Sequence, residues 1–277
     1  LFQYPHFDKN LIYIYKFKNL TIMAETAQGY VNTELDHGIA TIEFFHPASN
    51  SLPAKILNDL AKVIEKAGQD ERIKVIILRS AGTGAFCAGA SFDELVAIQN
   101  EADGKKFFMG FANVINAIRK AHKFVIGRIH GKAVGGGVGL AAACDYSIAT
   151  EAASVKLSEL AVGIGPFVVG PAVERKLGTS CFAQLAIDAT EWRSAEWAKK
   201  HSLYSELYKN TEELDDAVNH LADKLAHSNP EAMAMLKKVF WTGTEHWGSL
   251  LEDRAAMSGK LVLSTFTRNA IDKFLKK

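Results

Sequence analysis

Three consecutive glycines, Gly135, Gly136 and Gly137, stand between the apolar run Phe124-Val125-Ile126 and the small-residue segment Leu140 to Cys144. Glycine lets the backbone turn sharply and lets a ligand approach the main chain with no Cβ in the way. The small residues that follow can form a helix. The first amides of a helix have no internal partner and sit at the positive end of its dipole. Such a place holds an anion, or an oxygen that becomes anionic during a reaction. Glu159 comes later, an acid in the mostly apolar stretch from Val155 to Phe167. A donor site for developing negative charge, with an isolated carboxylate, outlines a proton-transfer site.

The rest of the chain builds toward that stretch. Val31 to Leu35 and Ile39 to Phe45 read as strands around the turn Asp36-His37-Gly38. Pro53 suits the first position of a helix whose apolar stripe is Ile56, Leu60, Val63, Ile64 and Ala67. Val75 to Leu78 is continuously apolar, the pattern of a strand buried on both faces. A second loop rich in glycine and alanine, Gly82 to Leu95, follows it. Phe107, Phe108, Phe111, Val114, Ile115 and Ile118 mark another helix. Phe124 to Ile129 is a strand leading to the glycine triplet, and Tyr146 to Ala149 and Val155 to Leu157 are short strands. Beyond Val168 the pattern is helical, with a stripe of Leu214, Val218, Leu221 and Leu225. The expectation is an α/β core over residues 23–190 and a helical region over residues 191–277. Residues 1–22, aromatic and basic without a period, read as a non-native or flexible extension, with Met23 as the natural start.

Charge and cysteine content narrow the function classes. The net charge of +1 gives no electrostatic case for nucleic acid or an anionic membrane as partner. Cys87, Cys144 and Cys181 have no metal-ligand spacing, and an odd count in apolar surroundings fits a reducing, cytoplasmic setting. Gly137-Val-Gly139-Leu-Ala-Ala142 matches a dinucleotide fingerprint, with Glu159 near the place of a ribose-binding acid. That reading leaves the Gly82–Leu95 loop unexplained, and the triplet does not follow its strand directly. A P-loop is excluded because neither loop ends in Gly-Lys-Ser/Thr.

One reading accounts for both loops. Ala85-Phe-Cys-Ala-Gly-Ala-Ser-Phe-Asp-Glu-Leu95 and His130-Gly-Lys-Ala-Val-Gly-Gly-Gly-Val-Gly-Leu-Ala-Ala-Ala-Cys-Asp145 resemble the two signature regions of the enoyl-CoA hydratase/isomerase (crotonase) family. The resemblance runs from about Val31 to the C-terminus. It implies an α/β fold, a crotonase-like spiral of β-β-α units with a helical C-terminal trimerisation region, assembled as a homotrimer or hexamer. It also implies that the backbone N–H groups of Ala90 and Gly136 hold the thioester oxygen of an acyl-CoA. Glu159 matches the second of two glutamates used by hydratases of the family. Gly139 stands where the first would be. With one carboxylate, the simpler task is to take a proton from one carbon and return it to another. The resemblance therefore implies a shift of a 3-enoyl-CoA double bond to the 2-position through a thioester dienolate, with Glu159 as shuttle. Gly163-Ile-Gly-Pro-Phe167 resembles the Gly-Ile-x-x-Pro-Phe segment of mitochondrial-type isomerases of the family. The alternatives are a hydratase with a substitute group to hold water, and a non-catalytic acyl-CoA or RNA-binding family member.

The resemblance further implies that Ser51, Leu52, Ala88, Ala90, Ser91, Phe92, Asp93 and Gly136 surround the CoA moiety. Ser91 replaces the family's usual Asp. CoA enters as part of the substrate, and neither a metal nor a separate cofactor is expected. Lys273 or Lys276 is a candidate for reaching a neighbouring subunit's CoA phosphates. Phe92, Phe107, Phe108, Phe111 and Phe167 are candidates for an acyl pocket, with most of the set expected in the core. Asp145 is expected to be a structural hydrogen-bonding acid, His130 a packed and hydrogen-bonded histidine, and Cys87 and Cys144 small core residues. Asp93 and Glu94 read equally as a solvated helix start.

Overall fold

The computed structural model describes residues 28–275, with side chains to residue 273. Met23, residues 1–22 and Lys276 lie outside the described residues. Strands β1 (Tyr30–Asp36) and β2 (Ile39–Phe45) pair antiparallel. Their turn places His37 and Gly38 at φ 45° and 84°, the two positive angles of a tight hairpin. From β2 the main sheet runs parallel through β4 (Val75–Ser80), β6 (Phe124–Ile129), β8 (Tyr146–Thr150) and β10 (Glu206–Tyr208).

The apolar run of β4 is buried on both sides, as its sequence predicts. Val75 and Ile77 face Leu214, Val218 and Ala222 of α7 (Thr211–Ala226). Ile76 and Leu78 face the larger core. That core takes Ile56, Leu60 and Ile64 from α1 (Ala54–Gln69) and Phe111, Ile115 and Ile118 from α3 (Glu101–Lys120). Pro53 sits at the N-cap of α1, one residue before the expected place. The sequence reading has only helices after Val168, whereas β10 forms there and completes the sheet edge.

A second, shorter ladder carries the loops. β3 (Ser51–Leu52) follows β2, β5 (Gly89–Ala90) follows β4, β7 (Ala133–Val134) follows β6, and β9 (Val155–Lys156) follows β8. β3 pairs with β5 and β7 with β9, both parallel, and a Cys87–Ala133 bridge joins the two pairs. Val155 continues the ladder by an antiparallel bridge to Arg193. Four of the six core strands, β2, β4, β6 and β8, thus each feed a short strand on a common ladder, the repeated β-β unit of the expected spiral. No helix of the described residues is long and apolar enough to cross a membrane.

Helix α9 (Trp247–Leu261) crosses α3 at a glycine pair. A Cβ on Gly104 would lie 2.7 Å from both the Cα and the carbonyl oxygen of Gly259, so only bare backbone permits the contact. Gly104→Ala is expected to lower stability by roughly 1–3 kcal/mol through overpacking, read as a lower urea midpoint. Gly248→Ala on α9 meets nothing within 4 Å and is expected to be neutral or to add up to about 1 kcal/mol.

Candidate active site

The two glycine-rich loops meet edge to edge. Val134 N donates to Cys87 O at 2.9 Å, and Cys87 N donates to Lys132 O at 3.3 Å. Gly89 has φ +96°, and a Cβ on it would lie 3.3 Å from Val134 O and 3.8 Å from Gly136 N. The backbone after Ala88 and the backbone at Gly136 therefore form one wall. Ser51 Oγ donates to Ala90 O at 2.8 Å and fixes the peptide plane there.

Helix α4 (Gly136–Ala143) begins at Gly136, so the Gly136 N–H has no intrahelical acceptor. Gly135 takes φ 52° and ψ −113°, a geometry that favours glycine. The triplet is wedged between three neighbours. A Cβ on Gly135 would lie 2.9 Å from Glu159 Oε1, one on Gly136 2.2 Å from the Phe111 ring, and one on Gly137 2.4 Å from Cys87 O.

Glu159 follows β9 and opens the short 3-10 turn Leu160–Val162. Its carbonyl accepts from Val162 N and Ile164 N, which locks the turn. The residue keeps some exposed surface, but Oε2 is withdrawn from solvent and has no hydrogen-bond partner. Removal from water penalises the charged form, and this pushes the carboxyl pKa up from 4.5 to about 7. The turn ends at Gly163, with φ +83°. There Thr267 Oγ1 of α10 (Thr265–Leu275) donates to Gly163 O at 3.1 Å.

These parts enclose a cleft of about 1080 Å³. Of the residues anticipated from sequence, Ser51, Ala88, Ala90, Phe92, Gly136 and Glu159 line it, as do Phe108, Phe111, Phe167 and Lys273. Leu52 is fully buried behind the wall. Ser91 is also buried, and its hydroxyl caps α2 (Phe92–Ala97) by accepting from Glu94 N at 3.4 Å. Asp93 is exposed in the first turn of α2, away from the cleft lining. Phe107 belongs to the core. Glu94 spans to α1, where Oε2 accepts from Ala54 N at 2.8 Å.

Asp145 is structural, as its position at the end of α4 predicts. Its side chain is only 8% exposed, accepts from Val125 N at 2.8 Å and Trp241 Nε1 at 2.8 Å, and pairs with the buried Lys237 at 2.7 Å. Cys87 and Cys144 are buried, and desolvation pushes both thiols up to about 12, so neither is a nucleophile. His130 is packed as expected, but it is not hydrogen-bonded: neither ring nitrogen has a partner. Burial, helped by the nearby Arg128 charge, lowers its pKa to about 4, so it stays neutral.

Sequence reasoning missed several contributors. Asn50, at φ 55°, accepts from His46 N and donates to Ala81 O and Ala85 O, anchoring the loop that carries Ala88 and Ala90. Lys156 and Trp192 line the cleft as well. Gly139 faces Val169, and a Cβ there would lie 2.5 Å from Val169 Cγ1. Packing thereby closes position 139 to a larger side chain. Among the described residues, Glu159 is the sole carboxylate lining the cleft.

A family model described as enoyl-CoA hydratase/isomerase matches residues 34–277. A Bacillus subtilis (strain 168) protein named "Probable enoyl-CoA hydratase" is 28% identical over 249 residues, 89% of this chain and 96% of that protein. The carnitinyl-CoA dehydratase of Proteus mirabilis (strain HI4320) is 30% identical over 72% of this chain and 75% of its own length. The crystal structure of an enoyl-CoA hydratase from Bacillus halodurans shares the fold, with a TM-score of 0.82 at 23% identity over 88% of this chain and 99% of that one.

Proposed function

This chain belongs to the enoyl-CoA hydratase/isomerase family, and we propose that it moves a proton on an acyl-CoA, shifting a 3-enoyl-CoA double bond to the 2-position. The observation that carries this reading is Glu159, the lone cleft carboxylate among the described residues, with its pKa near 7. In the proposed reaction the N–H groups of Ala90 and Gly136 hold the thioester oxygen. Glu159 takes a proton from C2, the electron pair delocalises onto that oxygen as a dienolate, and the same carboxyl returns the proton to C4. Donors set in advance stabilise the dienolate more than the ground state. No metal or redox group enters, because each step moves only a proton. A homotrimer or hexamer belongs to the same reading, and the exposed Met235, Leu236, Val239 and Phe240 of α8 (Pro230–Phe240) supply apolar surface for it.

A second reading is hydration of a 2-enoyl-CoA, favoured by relatives named hydratase and dehydratase. It requires a group other than residue 139 to hold water, and Ser158 and Thr190 in the cleft wall offer hydroxyls. One assay separates the readings. The purified protein is given a medium-chain 3-enoyl-CoA and, separately, a 2-enoyl-CoA, and the absorbance of the conjugated thioester is followed. The expected result is a gain with the 3-enoyl substrate and a stable 2-enoyl substrate. Loss of 2-enoyl absorbance with formation of a hydroxyacyl-CoA establishes hydration instead. Silence with both leaves acyl-CoA binding without turnover, or RNA binding with its steep salt dependence, as the alternatives.

A further inference from the structure

The ladder that carries the loops ends in an unusual face. Ala133 and Val155 are paired across β7 and β9, and both are fully buried. Side chains alternate along a strand, so their neighbours point the other way. Lys156 pairs with Val134, and Lys132 lies two residues before Val134 on the same face. The antiparallel bridge between Val155 and Arg193 sets Trp192 opposite Lys156. The Lys156 and Lys132 ammonium groups lie 4.6 Å and 5.1 Å from the centroid of the Trp192 ring. Trp192 is 40% exposed and lines the cleft together with Lys156. Neither lysine has a carboxylate partner among the described residues. Two like charges share one ring without a counter-ion.

We propose that Lys132, Trp192 and Lys156 form a subsite for a carboxylate at the far end of the acyl group, so that the preferred substrates are CoA monothioesters of dicarboxylic acids. This rests on the acyl-CoA reading above. The order of the ladder distinguishes acyl from CoA. Of the residues assigned to the CoA moiety, Ser51, Leu52 and Ala90 lie on β3 and β5, at one end. The lysine–tryptophan face lies on β7, β9 and the Arg193 segment, at the other. Lys156 pairs with Val134, two residues before Gly136, so from Gly136 it stands about 7 Å back along the strand and one spacing of about 5 Å across, roughly 8–9 Å in all. That is the reach of a five- or six-carbon diacid whose thioester oxygen lies at Gly136. The apolar ring supports the methylenes while the ammonium groups meet the carboxylate.

The test uses saturated thioesters, which bind without reacting. Calorimetric titration compares glutaryl-CoA with valeryl-CoA, which has the same chain length and no second carboxylate. Glutaryl-CoA is expected to bind roughly tenfold or more tightly, the order of a charge-assisted contact. Lys156→Met and Lys132→Met are expected to erase that preference while leaving valeryl-CoA binding as it was. Equal binding of the two thioesters by the unmodified protein overturns the proposal. Equal weakening of both by the lysine variants also overturns it, since the lysines then hold CoA phosphates. If neither thioester binds, the acyl-CoA reading falls first and the subsite with it.

Discussion

Glu159→Gln is expected to lower turnover by roughly a hundredfold to ten-thousandfold while leaving the affinity for a saturated acyl-CoA within about twofold, since a positioned general base contributes on that order. The amide keeps the shape of the carboxyl against Gly135 but cannot accept the C2 proton. Initial rates with a 3-enoyl-CoA and calorimetry with a saturated thioester read the two effects separately. Activity within tenfold of the parent protein removes Glu159 from the mechanism. The same variant has a second consequence. The unfolded chain titrates near 4.5 and the folded one near 7, so the folded state holds the proton more tightly. Stability at this group is complete below pH 4.5 and is lost as the pH rises through about 7, where the folded protein must carry a buried charge. The loss amounts to about 3 kcal/mol on the alkaline side. Glu159→Gln escapes it. Its melting temperature is expected to exceed that of the parent protein by roughly 5–10 °C at pH 8 and to match it near pH 4.5. Equal melting temperatures at both pH values refute the burial account of the shift. In the parent protein, kcat/KM is expected to rise with pH and level off above about 7, as the base loses its proton.

Gly137→Ala is the second large effect. Its methyl group would lie 2.4 Å from Cys87 O and 2.8 Å from Cys87 Cβ, atoms of the opposing loop that is itself buried. No flexible side chain is available to move aside, so the loops must part. In the proposed reaction the Ala90 and Gly136 N–H groups would then no longer meet at one thioester oxygen. Losing one such donor costs about 3–4 kcal/mol in the transition state, a factor of a hundred or more in kcat. The variant is expected to lose that much activity if it folds, with circular dichroism verifying the fold. Gly178→Ala serves poorly as a control because Gly178 has φ +74°; Gly248→Ala, with open space around it, serves well. Activity of Gly137→Ala equal to that of the control removes the close loop contact from the mechanism.

What the sequence discloses about this molecule follows the range of the interaction. Gly135, Gly136 and Gly137 are legible because each position excludes a side chain, and consecutive exclusion leaves a mark in the chain itself. The run Val75 to Leu78 is legible because burial on both faces removes the alternation of a half-exposed strand. Strand β10 is not legible: its three residues, Glu206, Leu207 and Tyr208, are all half-buried, and its partner β8 lies far upstream in the chain. The Lys132–Trp192–Lys156 face is hidden for the same reason, since three segments distant in sequence create it. Gly139 carries a visible departure from the hydratase pattern. That Val169 fills the space is knowable only from the packing.

The bond from Thr267 to Gly163 joins residues 104 positions apart. Helix α10 thereby holds the turn on which Glu159 is mounted, although Glu159 itself belongs to the sheet-forming part of the chain. During synthesis the strands and both glycine loops leave the ribosome well before this brace exists. The turn that carries Glu159 is therefore among the last parts of the fold to be braced. A protease that removed only α10 would leave that turn without its brace.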